Sequence, residues 1–479
     1  MSASRGGGPR FAGFLVICLV GAALEPFAAG RADLAAQSVR GWVGSTLQMV
    51  ELRPVAMLAA GCLPDQPCYD ALSEERSFSA TQDLSLTAWG FGLEGVSATV
   101  LLRGRARLGS DLVWPRTDDR FDAILAYGQL VRDRFTVRAG RQEIRSGLGF
   151  SSFDGASVAW YGGTAQFRAE AYGGRSLARG LREPDREALR AVEDFVPDKE
   201  VLVWGGSARA RLRGLSITTR YQREILSDRS GLASERGALD LSLATPTGRL
   251  IGAIDYDFAR GTAGKGRLGW SMPLADGQWL VEATASRYVP YFSLSTIWGF
   301  FEPVAYHEIE GRVGWSPSAT LAVTFGGGWR KYGDTGTATV FRPLTGHGER
   351  ARLGARWDVV SRVTVDAGYD LEWGPGGFLS AADVSARTAL NERLSVTATA
   401  TTFQQIEQYR LGDGRGLGGG LSFDAELTDR ILTSGGASLL RHTGGQTTVQ
   451  DSPWNQSRAW WSLRVLVGED PGLANRRRR

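Results

Sequence analysis

Arginine is the side chain whose type and spacing point most directly to chemistry in this sequence. Arg103, Arg105 and Arg107 stand at every second position, and Arg209 and Arg211 repeat that spacing further along. A guanidinium holds its N–H donors in a planar fork that fits carboxylate, sulfate and phosphate groups. The expected anion-binding set is Arg103, Arg105, Arg107, Arg138, Arg141, Arg168, Arg209, Arg211, Arg220, Arg350, Arg352 and Arg356.

Carboxylates recur with the same spacing in the second half of the chain. A basic wall would then face a largely acidic wall across one interior space. The expected acidic wall is Asp255, Asp257, Glu282, Glu308, Glu310, Asp366, Asp370 and Glu372. The competing interpretation is that arginine simply fills every basic position, because the chain contains only three lysines.

The elements that position these charges are β-strands. From Val39 onward apolar residues alternate with polar ones; Val96, Ala98 and Val100, for example, are separated by Ser97 and Thr99. A period of two gives each strand one apolar and one polar face. A soluble sandwich would pack the apolar faces together, whereas a membrane barrel turns them to lipid and lines a lumen with the polar faces.

The spacing of the strands favours the barrel. Tight turns alternate with long connections along most of the chain, and this asymmetry is typical of outer-membrane barrels. We therefore predict an all-β fold, a single antiparallel transmembrane barrel of about 22 strands with 18 or 20 as alternatives, in the bacterial outer membrane. Aromatic residues near strand ends would supply the interfacial girdles, namely Trp160, Trp204, Tyr221, Trp270, Trp279, Trp315, Trp329, Trp357 and Tyr369.

The two ends of the chain have compositions of their own. Basic Arg5 and Arg10 precede a short apolar run, so residues 1–36 are expected to form a cleaved signal peptide. The barrel is expected over residues 37–468, with no N-terminal plug domain. Residues 469–479 form a basic tail that ends in four arginines, and it is either the docking site of a periplasmic export or assembly partner or an unstructured end. The mean hydropathy of -0.17 also fits strands that are apolar only at alternate positions.

Cysteine and histidine give little support for a reactive site. Cys62 and Cys68 flank a proline-containing segment and are expected to form a disulfide, with two free thiols as the alternative. Only three histidines occur, and no nucleophile, base and orienting group can be placed together. We therefore expect no enzyme activity, no metal, no cofactor and no nucleic-acid partner.

One local stretch resembles the alginate-export family of outer-membrane barrels. The resemblance covers about twenty residues and consists of the run Val137 to Glu143, with its Arg-x-Gly-Arg-Gln-Glu pattern, followed by Phe153-Asp154-Gly155-Ala156. In that family an arginine-rich lumen passes an anionic polysaccharide outward. The resemblance implies that Arg138 and Arg141 belong to such a path. From the residues alone, Arg141 either reaches over the pore on an inward-folded loop 144–152 or forms an ion pair with Glu143 or Asp154.

Three functions remain open from the sequence. The first is an anion-selective outer-membrane channel for a polysaccharide or another carboxylate- or phosphate-bearing cargo. The second is a general diffusion porin, and the third is a structural or attachment barrel. Loops 174–198 and 289–302 are candidate gates, and the first contains a segment, 184–193, that could form a short helix. Lipid and lipopolysaccharide are the expected surroundings.

Overall fold

A computed structural model describes most of the chain between residues 38 and 468. The described residues are 38–52, 55–57, 69–71, 75–107, 121–163, 166–177, 180–181, 197–227, 231–289, 305–333, 346–374, 377–408, 412–444 and 453–468. The predicted signal peptide, the cysteine pair, the basic tail and the segment 184–193 lie outside these ranges, as does most of each candidate gate.

Every regular element in the described residues is a β-strand. Alternating apolar and polar residues favour strands because the two faces then meet different surroundings. The strands are β1 (Ser38–Leu52), β2 (Val55–Met57), β3 (Tyr69–Ala71), β4 (Glu75–Trp89), β5 (Val96–Arg107), β6 (Phe121–Arg132), β7 (Phe135–Ser146), β8 (Gly149–Gly162), β9 (Phe167–Ser176), β10 (Gly180–Leu181), β11 (Pro197–Lys199), β12 (Val201–Leu212), β13 (Leu215–Leu226), β14 (Leu232–Thr245), β15 (Gly248–Asp257), β16 (Thr262–Leu274), β17 (Trp279–Tyr288), β18 (Tyr306–Ser318), β19 (Leu321–Tyr332), β20 (His347–Val360), β21 (Val363–Gly374), β22 (Gly377–Asn391), β23 (Leu394–Gln408), β24 (Gly412–Thr428), β25 (Ile431–Gly444) and β26 (Trp454–Gly468). No helix in this part of the chain is long and apolar enough to cross a membrane.

Twenty-two of these strands form one closed antiparallel sheet. Each pairs with the next barrel strand along the chain, and β26 returns to pair with β1 from Arg40 opposite Gly468 to Val50 opposite Arg458. Closure leaves no sheet edge, so every strand has a hydrogen-bonding neighbour on both sides. The prediction of a 22-stranded antiparallel barrel is confirmed. Two short pairs, β2 with β3 and β10 with β11, lie outside the barrel sheet.

The connections differ between the two ends of the barrel. Those at the end that holds Ser38 and Gly468 span two to six residues, and we call it the turn end. The long connections lie at the opposite end, the loop end, as the sequence pattern predicted. In outer-membrane barrels the short turns face the periplasm and the long loops face outside.

One connection at the loop end differs from expectation. Residues 144–152 were expected to form a loop between strands at 133–143 and 153–162. Instead β7 and β8 pair continuously from Phe135 opposite Trp160 to Ser146 opposite Gly149. Only Gly147 and Leu148 turn the chain, and Gly149 adopts a φ of 122° that favours glycine. The strands continue because polar and apolar residues keep alternating past Glu143.

Candidate functional site

The register assigns each barrel residue to one of two faces, because directly paired residues on neighbouring strands point the same way. One face carries large exposed apolar side chains such as Leu202, Leu268 and Ile309. The other carries most charged residues. Contacts between strands that are not neighbours occur on this charged face: a Cβ added to Gly147 would lie 2.9 Å from Nη1 of Arg220, on β13. The charged face therefore lines the lumen.

The nine aromatic residues predicted to form girdles all lie on the outward face. Two groups form, one toward each end of the barrel. Near the turn end, the rings of Trp279 and Trp315 stack with centroids 5.6 Å apart. Near the loop end, Trp204 and Tyr221 pack with centroids 5.3 Å apart. The apolar outward face is thus bordered by rings suited to the two interfaces of a membrane.

The predicted arginines fall on the lumen face with one exception. Ten of them share the lumen parity, and Arg107 occupies the same parity on the backbone, although its side chain lies outside the described part. The exception is Arg141, which pairs with Asp154 on the outward face. Its Nε and Nη2 donate to the two carboxylate oxygens at 2.8 and 2.9 Å. The hypothesis that Arg141 reaches over the pore is therefore corrected in favour of the ion pair.

The predicted acidic residues all lie on the lumen face, but the lumen is not divided into a basic and an acidic wall. Arg103 on β5 donates to Asp83 on β4 at 2.7 Å, and Arg220 on β13 pairs with Asp240 on β14. Neither aspartate was among the predicted site residues. Alternation alone does not identify them, because the register of the neighbouring strands decides which opposite charges are paired and neutralise each other. The expectation of two opposed walls is corrected accordingly.

A dense network of ion pairs covers the lumen face of β18 to β21. Arg330 reaches Glu308 at 3.3 Å and Glu372 at 3.0 Å. Arg350 shares Glu308 at 3.0 Å and contacts Glu310 at 2.8 Å. Gly328 provides the space for Arg350, because an added Cβ would lie 3.3 Å from its side chain. Arg352 completes the network through Asp370 at 2.7 Å. Carboxylates neutralise the charge of these arginines, and the ion pairs link neighbouring strands of the barrel.

A second group of arginines has no such compensation. A cavity of about 590 Å³ lies at the turn end beside β12, β13 and β15, and we call it the basic recess. Arg209, Arg211, Arg213 and Arg249 line it, and no acidic residue does. Within the described part of the chain none of the four forms an ion pair. Arg213 and Arg249 were not in the predicted set.

Local turn geometry sets the shape of the basic recess. Arg213 and Gly214 connect β12 to β13 and have φ values of 38° and 90°. Positive φ at both central residues matches the twist of a tight two-residue hairpin. The turn holds the two strands in register, with Arg211 opposite Ser216 and Arg209 opposite Thr218 on the lumen face. All four guanidinium-bearing side chains remain exposed.

The hairpin of β7 and β8 leans into the lumen near the loop end. Its turn approaches Arg220 across β9 and β12, a distance of roughly three strand spacings or 14 Å along the wall. Phe153 is 0% exposed and stacks on Tyr172 with ring centroids 5.6 Å apart. Ser157 donates to Oε1 of the buried Gln142 at 2.6 Å. This packed layer, here called the inner shelf, narrows that side of the lumen.

Aromatic rings form a row across the lumen face of β23 to β26 near the loop end. The rings of His442 and Trp454 stack with centroids 4.5 Å apart and 11° between their planes. Phe403 meets His442 edge-on at 6.2 Å, and its ring covers Gly416, where a Cβ would lie 2.2 Å away. Further along β26, Trp460 faces the lumen while the adjacent Trp461 faces outward. Alternation alone does not separate these rings from the girdle residues, because the face of each ring is known only from the register.

No group of His, Cys, Asp or Glu that could hold a metal ion occurs among the described residues. Guanidinium groups on the lumen face can hydrogen-bond an anion and attract it through their field.

Comparison with known proteins identifies the fold. No family model matches the sequence, and no curated protein matches it. Among solved structures, a double mutant of the ferric enterobactin receptor PfeA from Pseudomonas aeruginosa is similar with a TM-score of 0.56 and 10% identity, covering 89% of this chain and 80% of that chain. The siderophore receptor PirA from Pseudomonas aeruginosa has a TM-score of 0.52 and 12% identity over 89% and 80%.

PirA from Acinetobacter baumannii is similar to the same degree, with a TM-score of 0.52 and 10% identity over 90% of this chain and 81% of that chain. Identity this low establishes the fold alone. Together with the closed sheet, the outward apolar face and its aromatic borders, it places the chain as a 22-stranded β-barrel of the bacterial outer membrane.

Proposed function

We propose that this barrel is an outer-membrane channel that passes anionic solutes. The observation that carries the proposal is the basic recess, where Arg209, Arg211 and Arg249 face the lumen without any acidic partner in the described residues. Elsewhere in the lumen many arginines are neutralised by a neighbouring carboxylate. Uncompensated guanidinium groups attract anions and lower the barrier for their entry at this end of the pore.

We further propose an anionic polysaccharide as the cargo. Sugar rings stack on flat aromatic faces through their C–H groups, and guanidinium forks bind the carboxylates that such rings carry. The lumen presents both kinds of group: the row of Phe403, His442 and Trp454, and the arginines of the basic recess. The proposal agrees with the resemblance to the alginate-export family, although only Arg138 of its two arginines faces the lumen. Absence of a plug domain remains a prediction, because residues 1–37 lie outside the described ranges.

Ion selectivity tests the channel. The reversal potential of the refolded protein in a planar bilayer under a KCl gradient gives the permeability ratio of chloride to potassium. We expect anion preference in the wild type and a several-fold lower ratio in Arg209→Ala/Arg211→Ala/Arg249→Ala. The matching triple lysine variant keeps the charge and should keep the chloride preference. Equal selectivity in the alanine variant and the wild type would favour the general diffusion porin.

Current block by an oligouronate tests the cargo. We expect Trp460→Ala to shorten each blocking event several-fold, because the indole lies 39% exposed on the lumen face without a ring partner among the described residues. Trp461→Ala is the matched control, since the neighbouring indole is 40% exposed on the outward face. The triple lysine variant should also weaken block, because an ammonium group lacks the bidentate fork. Identical block in all variants would contradict a polysaccharide path while leaving the selectivity result intact.

A further inference from the structure

Four nitrogen-bearing side chains form a continuous row across four neighbouring strands, on the outward face near the loop end. Arg287 on β17 is paired with His307 on β18, and His307 is paired with Lys331 on β19. Lys331 is in turn paired with His347 on β20. Adjacent strands are about 4.8 Å apart, so this outer basic row spans roughly 15 Å along the barrel surface.

The outer basic row is exposed, with Glu349 two residues below His347 on the same outward face. All four side chains are exposed, and none forms an ion pair with any acidic residue of the described chain. The imidazole of His347 stacks on the indole of Trp329, with centroids 6.3 Å apart and 27° between the planes. This contact fixes the orientation of one member of the row. The row also contains two of the three histidines of the chain and one of its three lysines.

The row lies at the upper border of the apolar surface. Below it on the same strands the outward positions hold Ile309, Trp329 and Phe325, all large and exposed. The lower border is formed by Trp315 and Trp357. From Leu321 to Lys331 the chain advances ten residues, which at a typical tilt corresponds to roughly 25 Å along the barrel axis, the height of the apolar band of such barrels. The row therefore lies where the headgroups of the outer leaflet begin.

We propose that the outer basic row binds the phosphate groups of lipopolysaccharide. Its position excludes cargo in the lumen, because the four side chains point away from the pore. Phosphate oxygens accept hydrogen bonds from guanidinium, ammonium and imidazole groups, and charged donors make these bonds stronger than neutral ones. The apolar residues below the row contact the acyl chains of the same lipid, so one lipid molecule contacts both the outer basic row and the apolar surface below it. The proposal is independent of the channel function.

Binding to the phosphorylated lipid can be measured directly. The whole barrel in detergent would be titrated with lipopolysaccharide, with the same lipid after removal of its phosphates, and with inorganic phosphate. Bound lipid would be counted by native mass spectrometry and by the rise in unfolding temperature that a ligand of the folded state produces. We expect Arg287→Ala/Lys331→Ala to weaken lipopolysaccharide binding at least tenfold.

A matched control is available on the other side of the barrel. Arg415 and Arg441 also lie exposed on the outward face near the loop end, on β24 and β25. Arg415→Ala/Arg441→Ala also removes two positive charges from the outward face near the loop end, and we expect it to change binding less than twofold. The ion selectivity of both double variants should equal that of the wild type, which shows that each is folded.

Three outcomes would overturn the proposal. The first is an equal loss of binding in the two double variants, which would mean that any outward arginine serves. The second is equal binding of the dephosphorylated lipid to the wild type. The third is a rise in unfolding temperature with inorganic phosphate as large as that with lipopolysaccharide, which would make the row a site for free anions.

Discussion

Single arginines in this barrel have roles that depend on the residue directly across from them. Arg103 and Arg220 face aspartates on the neighbouring strand and are neutralised, whereas Arg209 and Arg211 face Thr218 and Ser216 and keep their charge available. The residue types are identical, so the guanidinium itself does not decide between a structural role in the barrel wall and a role in binding. The residue that the strand register places opposite each arginine decides between the two roles.

Arg141 provides a test at this scale. Its bidentate contact with Asp154 joins partly exposed side chains, and its Nη1 donates to the carbonyl oxygen of Ala123 at 2.9 Å. After allowance for solvent screening we expect Arg141→Ala to lower the free energy of unfolding by roughly 0.5–1 kcal/mol, measured by urea denaturation in lipid. Chloride selectivity should not change, because the side chain points outward.

Arg138→Ala is the comparison for that measurement. Arg138 faces the lumen, where its Nε donates to Gln129 at 2.7 Å and no carboxylate of the described residues pairs with it. We expect its removal to lower chloride selectivity. If Arg141→Ala lowers selectivity as much as Arg138→Ala, the outward assignment of Arg141 is wrong.

At the scale of elements, the hairpin of β7 and β8 differs most from a barrel wall whose inner face is in contact with water. Its lumen face buries Phe153 and Gln142, while its outward face keeps the exposed Phe150 and Val158. A lumen filled with water would not cover these residues, so the cover comes from the protein. Val201 and Val203 on β12 are also almost fully buried on the lumen side. The inner shelf therefore has a small apolar core of its own.

Truncation of that core should loosen the shelf. We expect Phe153→Ala to lower the free energy of unfolding by about 3–5 kcal/mol, as for other fully buried aromatic residues. We also expect larger fluctuations of the single-channel current, because the hairpin narrows the lumen. Phe150→Ala on the same strand is the control, since that ring is 60% exposed. If Phe153→Ala lowers the free energy of unfolding as expected but leaves the current fluctuations unchanged, the shelf does not border the conducting path.

For the whole molecule, stability depends on closure of the sheet between its first and last strands. Glu51 on β1 links both neighbours near the loop end. Its carboxylate accepts from Nε of Arg76 on β4 at 3.1 Å and from the backbone N–H of Ser457 on β26 at 3.2 Å. Its carbonyl oxygen accepts from the side chain of Gln456 at 3.2 Å. Residues about 400 positions apart in the sequence are thereby joined.

Removal of this link should weaken the seam. We expect Glu51→Ala to reduce the thermal stability, because Nε of Arg76 and the backbone N–H of Ser457 lose their carboxylate acceptor. Glu51→Gln should recover part of that loss, since its amide oxygen still accepts one bond. The measurement is the temperature at which the folded band disappears on electrophoresis. Glu75→Ala, one position beyond the seam contact, should leave that temperature unchanged; an equal decrease there would contradict a specific role for Glu51.

Much of the fold was available from the sequence because a strand has a period of two. Alternation along segments such as Val96 to Ala106 reveals which residues share a face, and the turn residues reveal where strands end. The strand number, the asymmetry of the connections and the lumen parity of Arg103, Arg209 and Glu308 follow from these local patterns. Boundaries failed where the strands ran on past their expected ends, as between Glu143 and Phe153, because pairing continues up to a two-residue turn at Gly147 and Leu148.

Local patterns by themselves determined that this chain is a barrel and which parity faces inward. Only the tertiary structure decided which charges meet, because register and ring closure pair residues that are distant in the sequence. Asp83 neutralises Arg103 and Glu308 binds Arg330, whereas Arg249 joins Arg209 in a recess free of carboxylates. The outer basic row likewise exists only because the register brings one residue from each of four strands side by side on the outward face.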